Sequence, residues 1–125
     1  MPNIHYSPLD VAVGVAHQSQ SMRYKVGAVI DGNHGFSVAC NIVGKTHPRL
    51  KGLGYPPHAG QHAEFRVVSN YPGSVRGATI YVARVNKNGI IKASRPCPVC
   101  EKMLRDAGIH KVVYTTEHGA EVLVL

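Results

Sequence analysis

A chain of 125 residues that is 44% apolar and 17% charged can bury one core but not two, and no low-complexity tract or repeat interrupts it. Fourteen Lys and Arg against seven Asp and Glu leave a formal charge of +7, which biases the surface toward anionic partners such as nucleotides or nucleic acid. The opening Met1-Pro2-Asn3-Ile4-His5-Tyr6 lacks the basic and apolar blocks of a secretion signal, and no apolar run approaches membrane-spanning length, so a cytoplasmic protein without membrane contact is expected.

Ser7-Pro8-Leu9-Asp10 combines a capping serine, a first-turn proline and an acid, and the apolar period that follows predicts a helix over 8–21. Residues 25–30 and 36–41 read as strands joined by the turn residues Asp31-Gly32-Asn33-His34-Gly35. Residues 44–60 form a long loop carrying Lys45, His47, Arg49, Lys51 and His58, a length that marks functional or mobile segments. A helix is expected over 62–69, a strand over 78–85 and a turn at 86–89. A third helix should open near Cys97 and stop at Gly108, followed by strands at 112–114 and 120–125. This order predicts an α/β domain in which helices cover a mixed sheet. Too few residues separate the last two strands for a parallel crossover, so they should pair antiparallel.

Two short motifs, His62-Ala63-Glu64 and Pro96-Cys97-Pro98-Val99-Cys100, each stand where a helix is expected to open. The free N–H groups of a helix's first turn favour thiolates there. One imidazole and two thiolates suit tetrahedral Zn²⁺ and leave a fourth position open for water, whose pKa can fall toward about 7 on the metal. Glu64 stands two residues from a ligand, close enough to move that water's proton. The competing reading is a closed structural site in which His58 or Cys40 completes the ligand set and Glu64 merely favours the helix dipole. Three cysteines cannot make a fully paired disulfide framework, which agrees with a reducing compartment and metal-binding thiolates.

The pattern His-x-Glu followed by Pro-Cys-x-x-Cys resembles the zinc-dependent cytidine and deoxycytidylate deaminase superfamily, and the likeness extends to the element order up to Thr115. The resemblance implies a three-layer domain with a mixed five-stranded sheet and helices on both faces. It implies Zn²⁺ held by His62, Cys97 and Cys100, proton transfer by Glu64, and substrate contacts from Asn41 and the Ala63 backbone. It also implies a homo-oligomer, and a reaction in which an amino group on a nucleobase is replaced by a carbonyl with release of ammonia. The predicted terminal hairpin resembles the branch acting on free cytidine, which favours a cytosine nucleoside or nucleotide as the small-molecule substrate. Departures from that branch are Asn41-Ile42-Val43, which lacks its ribose-gripping acid, and Glu101 where it tends to carry arginine. Arg66 likewise stands where deoxycytidylate deaminases commonly have asparagine. The alternatives are a deaminase acting on cytosine or adenosine in single-stranded RNA, DNA or tRNA, and, from another class, a noncatalytic zinc-stabilised binding module.

Overall fold

The computed structural model describes residues 7–22, 24–44, 52, 54 and 60–125. Helix α1 spans Pro8–Ala16, with the Ser7 hydroxyl accepting the Asp10 N–H at 3.2 Å and Pro8 in the first turn. It stops well short of the expected residue 21. The Ser19 hydroxyl donates to the Asn41 carbonyl and accepts the Ser21 N–H, both at 3.2 Å, and these side-chain bonds compete with continued helix.

Strands β1 (Lys25–Gly32) and β2 (Gly35–Cys40) form the expected hairpin, but both run further toward its tip and leave Asn33-His34 as the turn. Gly35 supplies the positive φ of 97° that this turn requires. Tyr71 holds the turn from behind, its hydroxyl accepting the His34 N–H at 2.9 Å and donating to the Gly35 carbonyl at 3.1 Å.

The chain continues through α2 (Ala63–Asn70), β3 (Thr79–Val85), β4 (Ile91–Lys92), α3 (Pro98–Ala107), β5 (Lys111–Thr116) and β6 (Gly119–Val124). Helix α3 ends on Gly108 at a φ of 90°, the glycine stop expected from the sequence. The sheet runs β2-β1-β3-β5-β6, with the short β4 on the end of β3. Among the described residues it therefore has the expected five strands in its main path plus the short β4, whose two residues carry too little pattern to announce a strand. Among the described strands only β3 and β5 are parallel, and β5 and β6 form the predicted antiparallel hairpin.

Helices cover both faces, as expected. On one, Ala12 of α1 meets Val29 and Ala83. Gly27 allows this approach, since a Cβ there would overlap the Ala12 carbonyl and the Ala16 amide. On the other, Val67 of α2 and Leu104 of α3 pack with Ala28, Ile30, Ile80, Val82 and Val112. Complete burial of Ile30, Ile80 or Leu104 contributes about 1.5–3 kcal/mol each. This larger core fixes the two helices whose N-termini carry the motif residues.

Candidate active site

His62 is the N-cap of α2, one residue ahead of the helix, in extended backbone. Its position is set by the preceding bridge, in which Ile42 and Gln61 exchange two backbone hydrogen bonds of 2.9 Å. Gly60 makes the bridge possible: its φ is 66°, and a Cβ there would overlap the Ile42 carbonyl. Cys97 is the matching N-cap of α3, its Sγ accepting the Cys100 N–H at 3.4 Å.

The segment leading into Cys97 is anchored by Ser94. Its hydroxyl donates to the Val82 carbonyl at 2.8 Å, accepts the Thr115 N–H at 2.9 Å and lies 2.8 Å from the Thr115 hydroxyl. Thr115 in turn accepts the Arg84 N–H at 3.2 Å and donates to the Lys92 carbonyl at 2.8 Å. These buried polar groups tie β3, β4 and β5 together beneath the site, where each hydrogen bond is hard to replace by water.

Nδ1 of His62 lies 3.4 Å from Cys100 Sγ and 3.9 Å from Cys97 Sγ, and the three donor atoms fall within 4.8 Å of one another. Zn–S bonds near 2.3 Å and Zn–N bonds near 2.0–2.1 Å at tetrahedral angles place N and S about 3.6 Å apart. The two measured separations bracket that value, so the donor set fits zinc in number, chemistry and spacing. Among the described residues no other group of three or more His, Cys, Asp or Glu could hold a metal ion. Cys40, the described candidate for a fourth ligand, sits half-buried at the end of β2 outside the cluster; His58 lies outside the described residues.

Three acid–base groups of the site are shifted. The hydrogen bond with the Cys100 side chain does most to lower Cys97, which falls from 9.0 to about 4 against the opposing effect of burial, with His62 and the Cys100 N–H assisting. The hydrogen bond with Cys97 raises His62, helped by the Glu64 and Cys97 charges and opposed by burial. Burial pushes Glu64 up, despite the hydrogen bond from its own N–H and the nearby imidazole. Glu64 is a carboxyl only 5% exposed at the foot of a helix, an expensive placement for an acid whose only role is to complement a dipole.

His62, Ala63, Glu64 and Cys97 line one cavity of about 620 Å³, together with Val26, Asn41, Arg84 and Ser94. All the expected site residues thus meet at one end of the sheet, with Cys100 buried directly behind. Ala63 is fully buried in the first turn of α2, where backbone N–H groups lack intrahelical acceptors. Asn41 borders the cavity, but its side chain also extends the strand pairing: Oδ1 accepts the Val26 N–H at 2.9 Å and Nδ2 donates to the Tyr24 carbonyl at 2.7 Å. The expected basic loop residues Lys45, His47, Arg49 and Lys51 lie outside the described residues. Tyr24, Arg84 and Ser94 escape the sequence reading. Only Arg84 leaves a signal there, as a charge inside the otherwise apolar run Ile80-Tyr81-Val82-Ala83-Arg84-Val85.

Comparison with solved structures finds proteins of the same fold. The dCMP deaminase of cyanophage S-TIM5 superposes with a TM-score of 0.56 at 22% identity, covering 87% of this chain and 79% of that one. The cytidine deaminase of Mycobacterium leprae gives 0.57 at 20% identity, covering 91% and 88%. The phage enzyme in complex with dCMP and dUMP gives 0.51 at 21% identity, covering 88% and 83%. At these identities the likeness is one of fold. A search of curated proteins finds no significant match. The family model for the cytidine and deoxycytidylate deaminase zinc-binding region matches residues 3–116. That span takes in both motifs and nearly the whole sheet, and the chain belongs to the cytidine and deoxycytidylate deaminase family.

Proposed function

We propose that this protein is a zinc-dependent hydrolytic deaminase that converts a cytosine nucleoside or nucleotide to its uracil form with release of ammonia. The observation that carries the reading is the buried Glu64 carboxyl, raised by desolvation and lining the same cavity as His62 and Cys97. A purely structural metal centre has no use for such an acid; a proton carrier working near neutral pH does.

His62, Cys97 and Cys100 would hold zinc, which when bound supplies a Lewis acid that makes a water nucleophilic at neutral pH. Glu64 accepts a proton from the attacking water and passes it to the ring nitrogen, then takes the remaining proton from the hydroxyl added to the ring carbon and delivers it to the departing amino group. Water and the amine are consumed; the carbonyl and ammonia are produced, and the carboxyl returns to its starting state. The first-turn N–H of Ala63 is suited to the polar edge of the base. Asn41, its amide braced by the backbone of Tyr24 and Val26, would direct its second Nδ2 hydrogen at the base or sugar.

Cytosine is favoured over adenine by the antiparallel β5–β6 hairpin, the ending that resembles enzymes acting on free pyrimidines. A second substrate reading, deamination within a single strand, draws on the net charge of +7 and on Tyr24, which borders the cavity at 55% exposure. A homo-oligomer is part of the same family expectation and is measured by light scattering. Among the described residues no helix is long and apolar enough to cross a membrane.

The test offers the purified protein cytidine, deoxycytidine, their monophosphates, adenosine nucleotides and short single strands, and measures ammonia and product mass from each. Conversion of free cytosine compounds supports the reading. Turnover of adenine or of strands alone replaces the substrate, and no ammonia from any of them overturns the enzyme.

A further inference from the structure

Arg84 occupies an unusual place. β3 pairs with β1 on one side and β5 on the other, and its residues alternate between the α1 face and the face under α2 and α3. Ile80 and Val82 occupy the second face as core residues, and Arg84, two further along, continues that row. Opposite it stands Val26, whose own neighbour across the hairpin is Asn41. Asn41, Val26 and Arg84 therefore form one line across three strands, about 10 Å end to end, all bordering the cavity that holds Glu64.

A charge in such a row calls for a partner. The Arg84 guanidinium carbon lies 4.2 Å from the centre of the Tyr24 ring, and Nη1 donates a long 3.5 Å bond to the Ala93 carbonyl. Among the described residues its buried Nε has no hydrogen-bond partner and no carboxylate pairs with Arg84. Arg95, which borders the same cavity, is by contrast paired with Glu101 at 3.4 Å. Beyond Arg84 the cavity adjoins a second hollow of about 510 Å³, formed by Met22, Tyr24, Arg84, Asn86, Lys87 and Asn88 and containing no acid. The cavity thus holds the Glu64 carboxyl together with a guanidinium that no carboxylate pairs among the described residues, and a lysine follows in the adjoining hollow.

We propose that Arg84, assisted by Lys87, receives the phosphate of the substrate, so that the enzyme prefers a nucleoside monophosphate to a nucleoside. This rests on the deamination reading above. The base lies against Ala63 and Glu64, the sugar crosses Val26 and Asn41, and the phosphate meets the guanidinium, whose fixed donors match phosphate oxygens in pairs. A monoester, with close to two negative charges, answers two cations better than the single charge of a diester, which favours a free nucleotide over a polynucleotide.

The test compares wild type with Arg84→Gln and Arg84→Lys, after circular dichroism has shown that each is folded. kcat/KM is measured for deoxycytidine, dCMP and a short cytosine-containing single strand, and calorimetry measures binding of dUMP, deoxyuridine and inorganic phosphate. Wild type should favour dCMP over deoxycytidine, and dUMP over deoxyuridine, by at least about tenfold. Arg84→Gln should shrink both ratios by about 10- to 100-fold, the range of a charge-assisted hydrogen bond, while Arg84→Lys restores part of them. Equal losses on nucleoside and nucleotide would make Arg84 a purely structural partner of Tyr24 and overturn the proposal, as would a preference for the single strand. If no cytosine compound is deaminated, the proposed function fails, and inorganic phosphate decides Arg84 separately: weaker phosphate binding in Arg84→Gln upholds an anion site, and unchanged binding removes it.

Discussion

His62 and Cys100 are separated by 38 residues in sequence and by 3.4 Å in space, nitrogen to sulfur. That approach depends on two helix starts being held at the same end of one sheet, and it brings a nitrogen and a thiol to the spacing of neighbouring ligands on a tetrahedral ion. Replacing either residue should empty the centre. We expect Cys100→Ala and His62→Ala to lose zinc in elemental analysis of purified protein, and full metal occupancy in either variant removes that residue from the ligand set.

Glu64 should separate chemistry from metal binding. Glu64→Gln keeps the size of the side chain but cannot carry a proton, so its turnover should fall by about 10²- to 10⁴-fold while zinc content is retained. Ammonia release and metal analysis on the same preparation check both halves. Undiminished turnover would assign the proton transfer to another group.

The low Cys97 pKa has a consequence for the protein stripped of metal. A thiol depressed from 9.0 to about 4 on folding contributes stability that is fully present above the unfolded value and is lost as pH falls through the folded one. The melting temperature of chelator-treated wild type, compared with Cys97→Ser, should therefore gain a growing advantage as pH rises from 4 toward 6.5, above which the stability linked to the raised His62 begins to be lost and offsets it. An advantage that is flat or declines over that window contradicts the thiolate assignment.

Ser94 tests the support beneath the site. Ser94→Ala removes the hydroxyl that serves the Val82 carbonyl and the Thr115 amide, leaving buried groups without partners at a cost of about 1–3 kcal/mol. Urea denaturation measures this loss, and a change under about 0.5 kcal/mol would mean that water replaces the hydroxyl.

Gly27→Ala probes the opposite face. An added methyl overlaps the α1 backbone at Ala12 and Ala16, so the helix must move, at about 1–3 kcal/mol. The same denaturation experiment checks it, and wild-type stability would show that α1 shifts freely.

Much of this architecture is legible in local chemistry. Ser7 and Pro8 announce the start of α1, Gly108 the end of α3, and the short interval between Tyr114 and Val122 the antiparallel pairing of β5 with β6. The clustering of His62, Cys97 and Cys100 is legible for a related reason, because these residue types stand at fixed spacing beside helix starts. What local pattern does not reveal is tertiary. The early end of α1 follows from Ser19 bonding to Asn41, a partner 22 residues away, and β4 is a two-residue strand that exists only because β3 offers an edge. Arg84 stands in between: its charge is visible within an apolar strand, but which face it occupies, and that the face carries the site, emerges only once the sheet is assembled.

The most direct measurement follows ammonia release from cytidine and dCMP through one cycle of chelation and zinc return, with metal content determined at each stage. Activity should disappear as zinc leaves and come back as zinc is restored to the centre formed by His62, Cys97 and Cys100. Deamination that persists at the full rate in metal-free protein, or zinc-loaded protein that releases no ammonia from any cytosine compound, would contradict the account.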